Sequence, residues 1–381
     1  MKKYRCSTPS RLCLFGEHQD YLNMEVIGTG INLRFRAEAS KRNDGMVHIM
    51  IRDSKICELN QKNVNGLYQH YEVNLNQPIV YEKKRDYFKS SFQVLLKQGY
   101  DVACGFDVKM DSDIPIGKGM CSSSTMIVVL LKTILETIQH PDKDNLDRIA
   151  YLGYLAEVEE FKEPGGMQDH FTSAYGNLVH LSFEETPKAT SIKTKIPGVF
   201  ILFDSLQQKD TIKVLNDSKV PVVEALEMLK PYGITHARDI FKNDANLPLA
   251  DKLDSYHKNK LLTSIQIYKL LKEALEILQS DHVEPEVFGD LLNRHHALLR
   301  DGLNTSTSVI DHILEVALEN GALGGKVNGS GGGGCLFVYA REEEAPKILK
   351  AVEKEGYPGV ILQSDSGVRL EDVWEDETSL F

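Results

Sequence analysis

A two-domain protein of mixed α/β class is what the sequence predicts. The chain has 381 residues, more than one hydrophobic core usually serves, so two domains are favoured over one. Stretches with period-two apolar spacing alternate along it with stretches of helical spacing. Between a strand and a helix near its middle lies Asp113-Ile-Pro-Ile-Gly-Lys-Gly-Met-Cys-Ser-Ser-Ser-Thr125, a loop punctuated by Pro115, Gly117 and Gly119.

The elements follow in order. Arg5 to Phe15 alternates weakly and reads as a strand, broken by the polar run Gly16 to Tyr21. Val26 to Ser40 resumes as a strand, with Ile31, Leu33, Phe35 and Ala37 at period two. Gly45 turns into a short strand from Val47 to Arg52, and Asn60 to Gln77 carries no clear pattern. Asp86 to Gln98 is helical by the spacing of Tyr87, Phe88, Phe92, Leu95 and Leu96, and Gly99 ends it. Gly105 to Met110 is a strand leading into the central loop, and the apolar run Met126 to Leu131 continues the helix beyond it. Asp147 to Phe161 is an amphipathic helix stopped by Glu163-Pro-Gly-Gly166; a short helix opens at Met167, and Leu178 to Phe183 is a strand. A new strand, Val199 to Phe203, follows Pro197, so the boundary is placed there, dividing 1–196 from 197–381. The second half is helix-rich (Val222 to Leu229, Lys260 to Gln279, Pro285 to Leu299, Val309 to Glu319). Glycine-dense Gly324 to Gly334, a strand from Cys335 to Ala340, a helix from Glu342 to Glu355 and a strand from Val360 to Gln363 complete it.

Composition narrows the function classes. With 42% hydrophobic and 26% charged residues the chain is an ordinary globular protein, and its net charge of −11 argues against non-specific nucleic-acid binding. No apolar run approaches the roughly 20 residues of a membrane span, and Met-Lys-Lys-Tyr-Arg lacks a following apolar signal region. The six cysteines show no metal-type pairing and read as reduced thiols, so a cytoplasmic protein is expected. Cys121, inside the loop, reads either as inert or as reactive.

The central loop opens a helix whose first turn carries Ser122, Ser123, Ser124 and Thr125. Bare backbone N–H groups and the positive end of the helix dipole then meet at one point, which makes an anion site, most often for phosphate. A serine-capped loop of no further purpose is the plainer reading. The stretch is not a Walker A loop, because Lys118 is followed by Gly119 rather than by Ser or Thr.

Three polar clusters fall in breaks between elements, where function concentrates. Arg11 with Glu17, His18, Asp20 and Tyr21 could bracket a polyhydroxylated ligand or form a solvated loop. Glu157 and Asp169 stand on either side of a Gly-Gly turn; a carboxylate at a helix start is usually a cap, but beside a phosphate loop it suits metal binding or proton acceptance. Asn328-Gly-Ser-Gly-Gly-Gly-Gly334 reads as a linker or, wedged between helix and strand, as a tight ligand-adjacent loop.

Together these residues resemble the GHMP kinase superfamily of galacto-, homoserine, mevalonate and phosphomevalonate kinases. Pro115-x-Gly-x-Gly-x-x-Ser-Ser is similar to its phosphate-loop motif, and Arg11-Leu-Cys-Leu-Phe-Gly-Glu-His-Gln-Asp-Tyr21 resembles the signature of galactokinases. The glycine run to Gly334 matches the third motif. The resemblance implies two α/β domains, an N-terminal β-α-β domain and a ferredoxin-like C-terminal one, with the active site between them. It implies an ATP-dependent small-molecule kinase in which Asp169 is the catalytic base and Arg11 stabilises both it and the transferring phosphate. Ser123 and Glu157 match the Mg²⁺ ligands; Glu159 and Glu160 lie close enough to leave the choice of glutamate open. Pro115, Gly117, Gly119, Cys121, Ser122, Ser123 and Ser124 match the ATP-binding loop, and Glu17, His18, Asp20 and Tyr21 fall where galactokinases hold the sugar. Two stretches depart: Gly-Gly-Met-Gln-Asp-His170 looks more like the heptose and fucose kinases, and Met120-Cys-Ser-Ser replaces the usual Leu-Ser-Ser-Ser, which changes little physically.

A neutral sugar is the expected acceptor, galactose by resemblance, because an anion would meet Glu17 and Asp20 with no evident cation but Arg11. A uronic acid, fucose or heptose kinase stays open, as does a regulator that senses sugar and ATP without turnover; Arg11 and Asp169 argue against the regulator. The Glu-His-x-Asp-Tyr cluster disfavours a decarboxylase of this fold. Oligomeric state is not predicted.

Overall fold

The computed structural model describes residues 1–52, 68–115, 118–184 and 186–376; Cys57 and Gly117 therefore lie outside the described residues. The first half runs β1 (Lys2–Phe15), β2 (Val26–Lys41), β3 (Met46–Arg52), β4 (Tyr68–Asn74), α1 (Tyr87–Lys97), β5 (Phe106–Ser112), α2 (Ser122–Thr137), α3 (Leu146–Tyr154), α4 (Gln168–Tyr175), β6 (Leu178–Phe183) and β7 (Pro187–Ser191). The second runs β8 (Val199–Asp204), α5 (Thr211–Leu229), α6 (Ala237–Lys242), α7 (Ser255–Leu278), α8 (Pro285–Ala297), α9 (Ser308–Glu319), β9 (Gly324–Val327), β10 (Cys335–Ala340), α10 (Ala345–Lys354), β11 (Gly359–Leu362) and β12 (Arg369–Glu375).

Two sheets result. The first has the order β12-β1-β2-β5-β3-β4, and β2 is long enough, at 16 residues, to serve a second neighbour. Its start, Val26 to Thr29, pairs with β6, while Phe35 to Lys41 pairs with β5. Helix α2 packs across β1 and β2. It is buried nearly all round, as an apolar run without a polar face requires.

The second sheet has the order β11-β8-β10-β9 and is antiparallel throughout. The path from β8 through helices to β9, β10, α10 and β11 is the split β-α-β-β-α-β of a ferredoxin-like sheet. Strand alternation gives β8 two different apolar faces. Val199, Ile201 and Phe203 join Ile310 and Ile313 of α9 and Ile348 of α10. Phe200 and Leu202 face the other way, into the cluster that holds Phe15, Phe288 and the core of the first sheet. The two halves thus share one continuous core.

Some elements depart from the sequence expectation. Helix α5 starts at Thr211, not Val222, and keeps Pro221 in its interior; the Asp210 carboxylate caps it by accepting from Lys213 N at 3.0 Å. The helix expected from Asp147 to Phe161 is regular only to Tyr154, and Leu155–Glu159 widens into a π-turn. Strand β4 forms in the stretch without pattern. Strand β12 was not expected, because Arg369-Leu-Glu-Asp-Val-Trp-Glu375 is polar; it is an edge strand paired with β1 from Lys2↔Glu375 to Ser7↔Arg369. Among the described residues no helix is long and apolar enough to cross a membrane, and the five described cysteines are free thiols.

Glu25, at the entrance to β2, ties the halves together. Its carboxylate accepts from His180 of β6 (2.7 Å) and from Tyr268 (2.7 Å) and Lys272 (3.0 Å) of α7. Burial would raise the carboxyl, but these bonds outweigh it and hold it at about 2, below the ordinary 4.5. A depressed carboxyl adds stability above its unfolded value and loses it as pH falls towards the folded one. Glu25→Ala should therefore cost about 2 to 3 kcal/mol at neutral pH, read by denaturant titration. The gap to wild type should close as pH falls from 4.5 towards 2.

Candidate active site

The anion site forms where β5 hands over to α2. Cys121 takes a left-handed φ of +45° just before the first helical residue, and no side chain caps the helix. The first-turn N–H groups, which have no partner inside a helix, are left to the cleft. Gly119, Cys121, Ser122, Ser123 and Ser124 line that cleft, a cavity of about 360 Å³. Pro115 is buried and is not among the lining residues. Gly119 has a φ of +88°, and a Cβ there would lie 2.7 Å from Lys209 Nζ and 3.0 Å from the Asn328 carbonyl, so no larger residue fits. Burial pushes the Cys121 thiol up, which opposes the reactive reading of this residue.

Arg11, on β1, and Asp169, in the first turn of α4, meet in this cleft. Arg11 Nε and Nη2 both contact Asp169 Oδ1 at 2.8 Å, which leaves Oδ2 outside the ion pair. Nη1 donates to the Gly119 carbonyl at 3.2 Å and so ties the pair to the phosphate loop. Burial works against the guanidinium charge, but Asp169 raises its proton affinity above the ordinary value.

Opposite stands Glu157, carried on the π-turn. Ser123 Oγ donates to its Oε1 at 2.5 Å, and His170 Nε2 donates to its Oε2 at 2.8 Å. Burial would raise this carboxyl, but His170 and Ser123 hold it below the usual range. The π-turn separates the three nearby glutamates: Glu159 accepts from Tyr154, Glu160 from Tyr81 and Lys97, and of the three only Glu157 lines the cleft. Among the described residues no group of three or more His, Cys, Asp or Glu could hold a metal. A hydroxyl and a carboxylate are nevertheless the hard oxygen donors that suit Mg²⁺ bound mainly through nucleotide phosphates.

Glu17, His18, Asp20 and Tyr21 line the same cleft. Asp20 accepts from the N–H groups of Gln168 and Tyr21 at 3.0 Å each and sits directly over Gly166, where a Cβ would be 2.1 Å from its Oδ2. His18, at a φ of +63°, has both ring nitrogens engaged. Its Nε2 faces the Ser330 carbonyl at 3.1 Å, which can only accept, so Nε2 carries the proton and Nδ1 accepts from the Tyr21 hydroxyl at 2.8 Å.

The charge reading of this cluster is corrected. Glu17 is ion-paired with the fully buried Lys326, whose Nζ also donates to the Cys13 and Val327 carbonyls (3.0 and 2.9 Å). Two cations besides Arg11 line the cleft: Lys209, and Arg85, which is paired with Glu163. Sequence reasoning missed both lysines and also His170: each makes its contact across the fold, and none sits in a periodic pattern. The third glycine stretch is a tight loop rather than a linker, since Cys335 N donates to the Lys118 carbonyl at 2.7 Å and Gly329 and residues 331–334 take positive φ.

The comparisons with known proteins agree with this geometry. The family model for the GHMP kinases N terminal domain matches residues 86–177, and that for the GHMP kinases C terminal domain matches 267–358. The chain belongs to the GHMP kinase superfamily. It is 26% identical to a galactokinase of Fusobacterium nucleatum, over 92% of this chain and 89% of that protein. It is 24% identical to a mevalonate kinase of Thermococcus onnurineus, over 96% and 98%. The fold matches Lactococcus lactis galactokinase complexed with galactose, with a TM-score of 0.82, 20% identity and 96% and 95% coverage. It also matches Methanococcus jannaschii mevalonate kinase, at 0.67, 22%, and 95% and 98%. The two-domain GHMP kinase fold is thus shared across branches with different acceptors, so specificity has to be argued from the cleft itself.

Burial holds His18 down to about 4 from an ordinary 6.5, against the raising effect of the Ser330 carbonyl. Between those values the unfolded chain binds a proton that the folded one refuses, so this residue makes stability fall with decreasing pH. His18→Gln should flatten that fall by up to about 1.4 kcal/mol per pH unit. Melting temperatures of both proteins from pH 7 down to 5 test it; parallel curves would show that His18 is not held neutral.

Proposed function

We propose that this GHMP kinase transfers the γ-phosphate of ATP to a hydroxyl of a free monosaccharide, with galactose at its anomeric hydroxyl as the acceptor. One observation carries the reading: the Arg11–Asp169 pair lies in one cleft between the anion site at the start of α2 and the hydroxyl-binding cluster of Glu17, Asp20 and Tyr21. The galactokinase relatives support the acceptor.

The acceptor hydroxyl is held within reach of Asp169 Oδ2, the oxygen that Arg11 leaves outside the ion pair. Its oxygen attacks the γ-phosphorus, the bond to the ADP oxygen breaks with its electron pair leaving on ADP, and Asp169 takes the proton. Arg11 fixes the orientation of Asp169 and faces the charge that spreads over the phosphoryl oxygens. The loop amides of α2 hold the phosphate chain. Ser123 and Glu157 would hold Mg²⁺, with His170 keeping Glu157 ionised and oriented. When bound, the ion neutralises charge on the β- and γ-phosphates. Because His18 spends both nitrogens on Tyr21 and Ser330, its part is to orient Tyr21 rather than to bind sugar directly. Glu17 is buried, paired with Lys326 through Oε1 and with Oε2 3.6 Å from His295 Nε2, so the spare lone pairs of Asp20 are the ones left to accept from sugar hydroxyls.

The test is release of ADP from ATP across hexoses, 6-deoxyhexoses, uronic acids and heptoses. Galactose should give the highest kcat/KM; a clear preference for a uronic acid, which Lys209 in the cleft could accommodate, would overturn the acceptor assignment. Asp169→Asn should lower kcat by at least about 10²-fold and change sugar affinity much less. Near-normal turnover in that variant would reduce Asp169 to a helix cap.

A further inference from the structure

Lys209 lies between β8 and α5 and reaches back across the cleft to the phosphate loop. Its Nζ donates to Ser330 Oγ at 2.9 Å and lies 2.7 Å from the position a Cβ on Gly119 would take. Among the described residues the buried Lys3, Lys132 and Lys326 have Asp376, Glu136 and Glu17, and the buried Lys260 has the Leu303 carbonyl; Lys209 is partly buried. Lys209 makes no ion pair with a carboxylate among the described residues, and its one side-chain partner there is a neutral hydroxyl. A partly buried ammonium without a carboxylate beside it is favoured by an anion that completes it. Burial, and then the neighbouring Arg11 charge, reduce its proton affinity from 10.5 to about 8.

The positions of Arg11 and Lys209 say which anion. Arg11 Nη1 touches the Gly119 carbonyl, and Lys209 Nζ lies against the Cα of the same residue. Arg11 arrives on β1 of the first half and Lys209 from the second half, and both reach Gly119 of the loop that presents the α2 amides. The candidate acceptor cluster is a separate set of residues, with Asp20 lying over Gly166 rather than Gly119. We infer that Lys209 is a second cationic ligand of the phosphoryl group in transfer, delivered by the second half of the chain and held in place by Ser330. The inference rests on the kinase reading above and adds to it a phosphate ligand outside the three sequence motifs.

Ser330 has a double duty in this arrangement. Its hydroxyl holds Lys209 while its carbonyl accepts from His18, whose other nitrogen accepts from Tyr21. An unbroken chain of hydrogen bonds runs from the sugar cluster to the phosphate cation. Ser330 is therefore a positioning residue, acting on the phosphate through Lys209.

Nucleotide binding tests this without any sugar. Affinities for ADP and for the β,γ-imido analogue of ATP, both with Mg²⁺, are measured by calorimetry on the full chain. Lys209→Met, which keeps the apolar stem, should weaken the analogue relative to ADP by about ten- to a hundredfold. Lys209→Arg should restore most of the difference, because the guanidinium is a cation of similar reach. Ser330→Ala should lose a smaller factor, about two- to tenfold, in the same direction. With the acceptor found by the sugar screen, Lys209→Met should lower kcat while leaving the sugar KM little changed. An analogue-to-ADP ratio unaffected by Lys209→Met would overturn the inference, as would a loss confined to the KM of an anionic acceptor. Failure of every sugar in the screen would count against the acceptor reading alone, since the nucleotide ratio is read independently.

Discussion

Everything in the cleft hangs on one buried amide. Asn328, with no solvent exposure, accepts from Cys13 N at its Oδ1 (3.1 Å) and donates from Nδ2 to the Gly119 carbonyl (3.1 Å). That single side chain comes from the second half and pins β1 and the phosphate loop, both from the first. Arg11 sits two residues before Cys13 and donates to the same Gly119 carbonyl. The positions of Arg11, Asp169 and the loop amides therefore share one reference point. A buried amide satisfied on both ends is rigid, because the alternative is an unpaired polar group in the core.

What could be read from the residues and what could not divide along a physical line. Period-two runs such as Val26 to Ser40 and the apolar stretch after the glycine loop became β2 and α2 because local spacing dictates which face is buried. The site residues tied to motifs, among them Arg11, Ser123, Glu157 and Asp169, converge in the cleft. Lys209, Lys326 and His170 escaped notice because their importance lies in partners 121, 309 and 13 positions away. The start of α5 was hidden by Pro221, which costs a helix interior about 3 kcal/mol and reads as a stop, yet the helix is carried through by packing against α7. Strand β12 was hidden by its polarity, since an edge strand needs no apolar run. The π-turn at Glu157 has no sequence signature at all; it is a packing solution that turns one glutamate of three into the cleft.

Charge shows the same dependence on tertiary context. Counted along the chain, the Glu17 to Tyr21 stretch is acidic. In the fold, Lys326 neutralises Glu17, backbone amides satisfy Asp20, and Arg11 and Lys209 add positive charge beside Asp169. The cleft is mixed rather than uniformly acidic: Lys326 sits on Glu17, Lys219 lies over the Tyr21 ring, and Arg85 lines the wall paired with Glu163.

Strand β12 has a consequence for how the molecule is made. Strand β1, which carries Arg11, borders β2 on one side and β12 on the other, and Lys3 contacts Asp376 across 373 positions. During synthesis the hairpin of β1 and β2 emerges well before β12, and its outer edge stays unpaired until β12 has followed. An open edge of that length invites strand addition from another chain. Lys2 and Lys3 put like charges along that edge, which would keep two nascent copies apart until Glu375 and Asp376 arrive with the matching sign. Basic β1 and acidic β12 are thus a timed pair: repulsive between copies before β12 is made, attractive once it is in place.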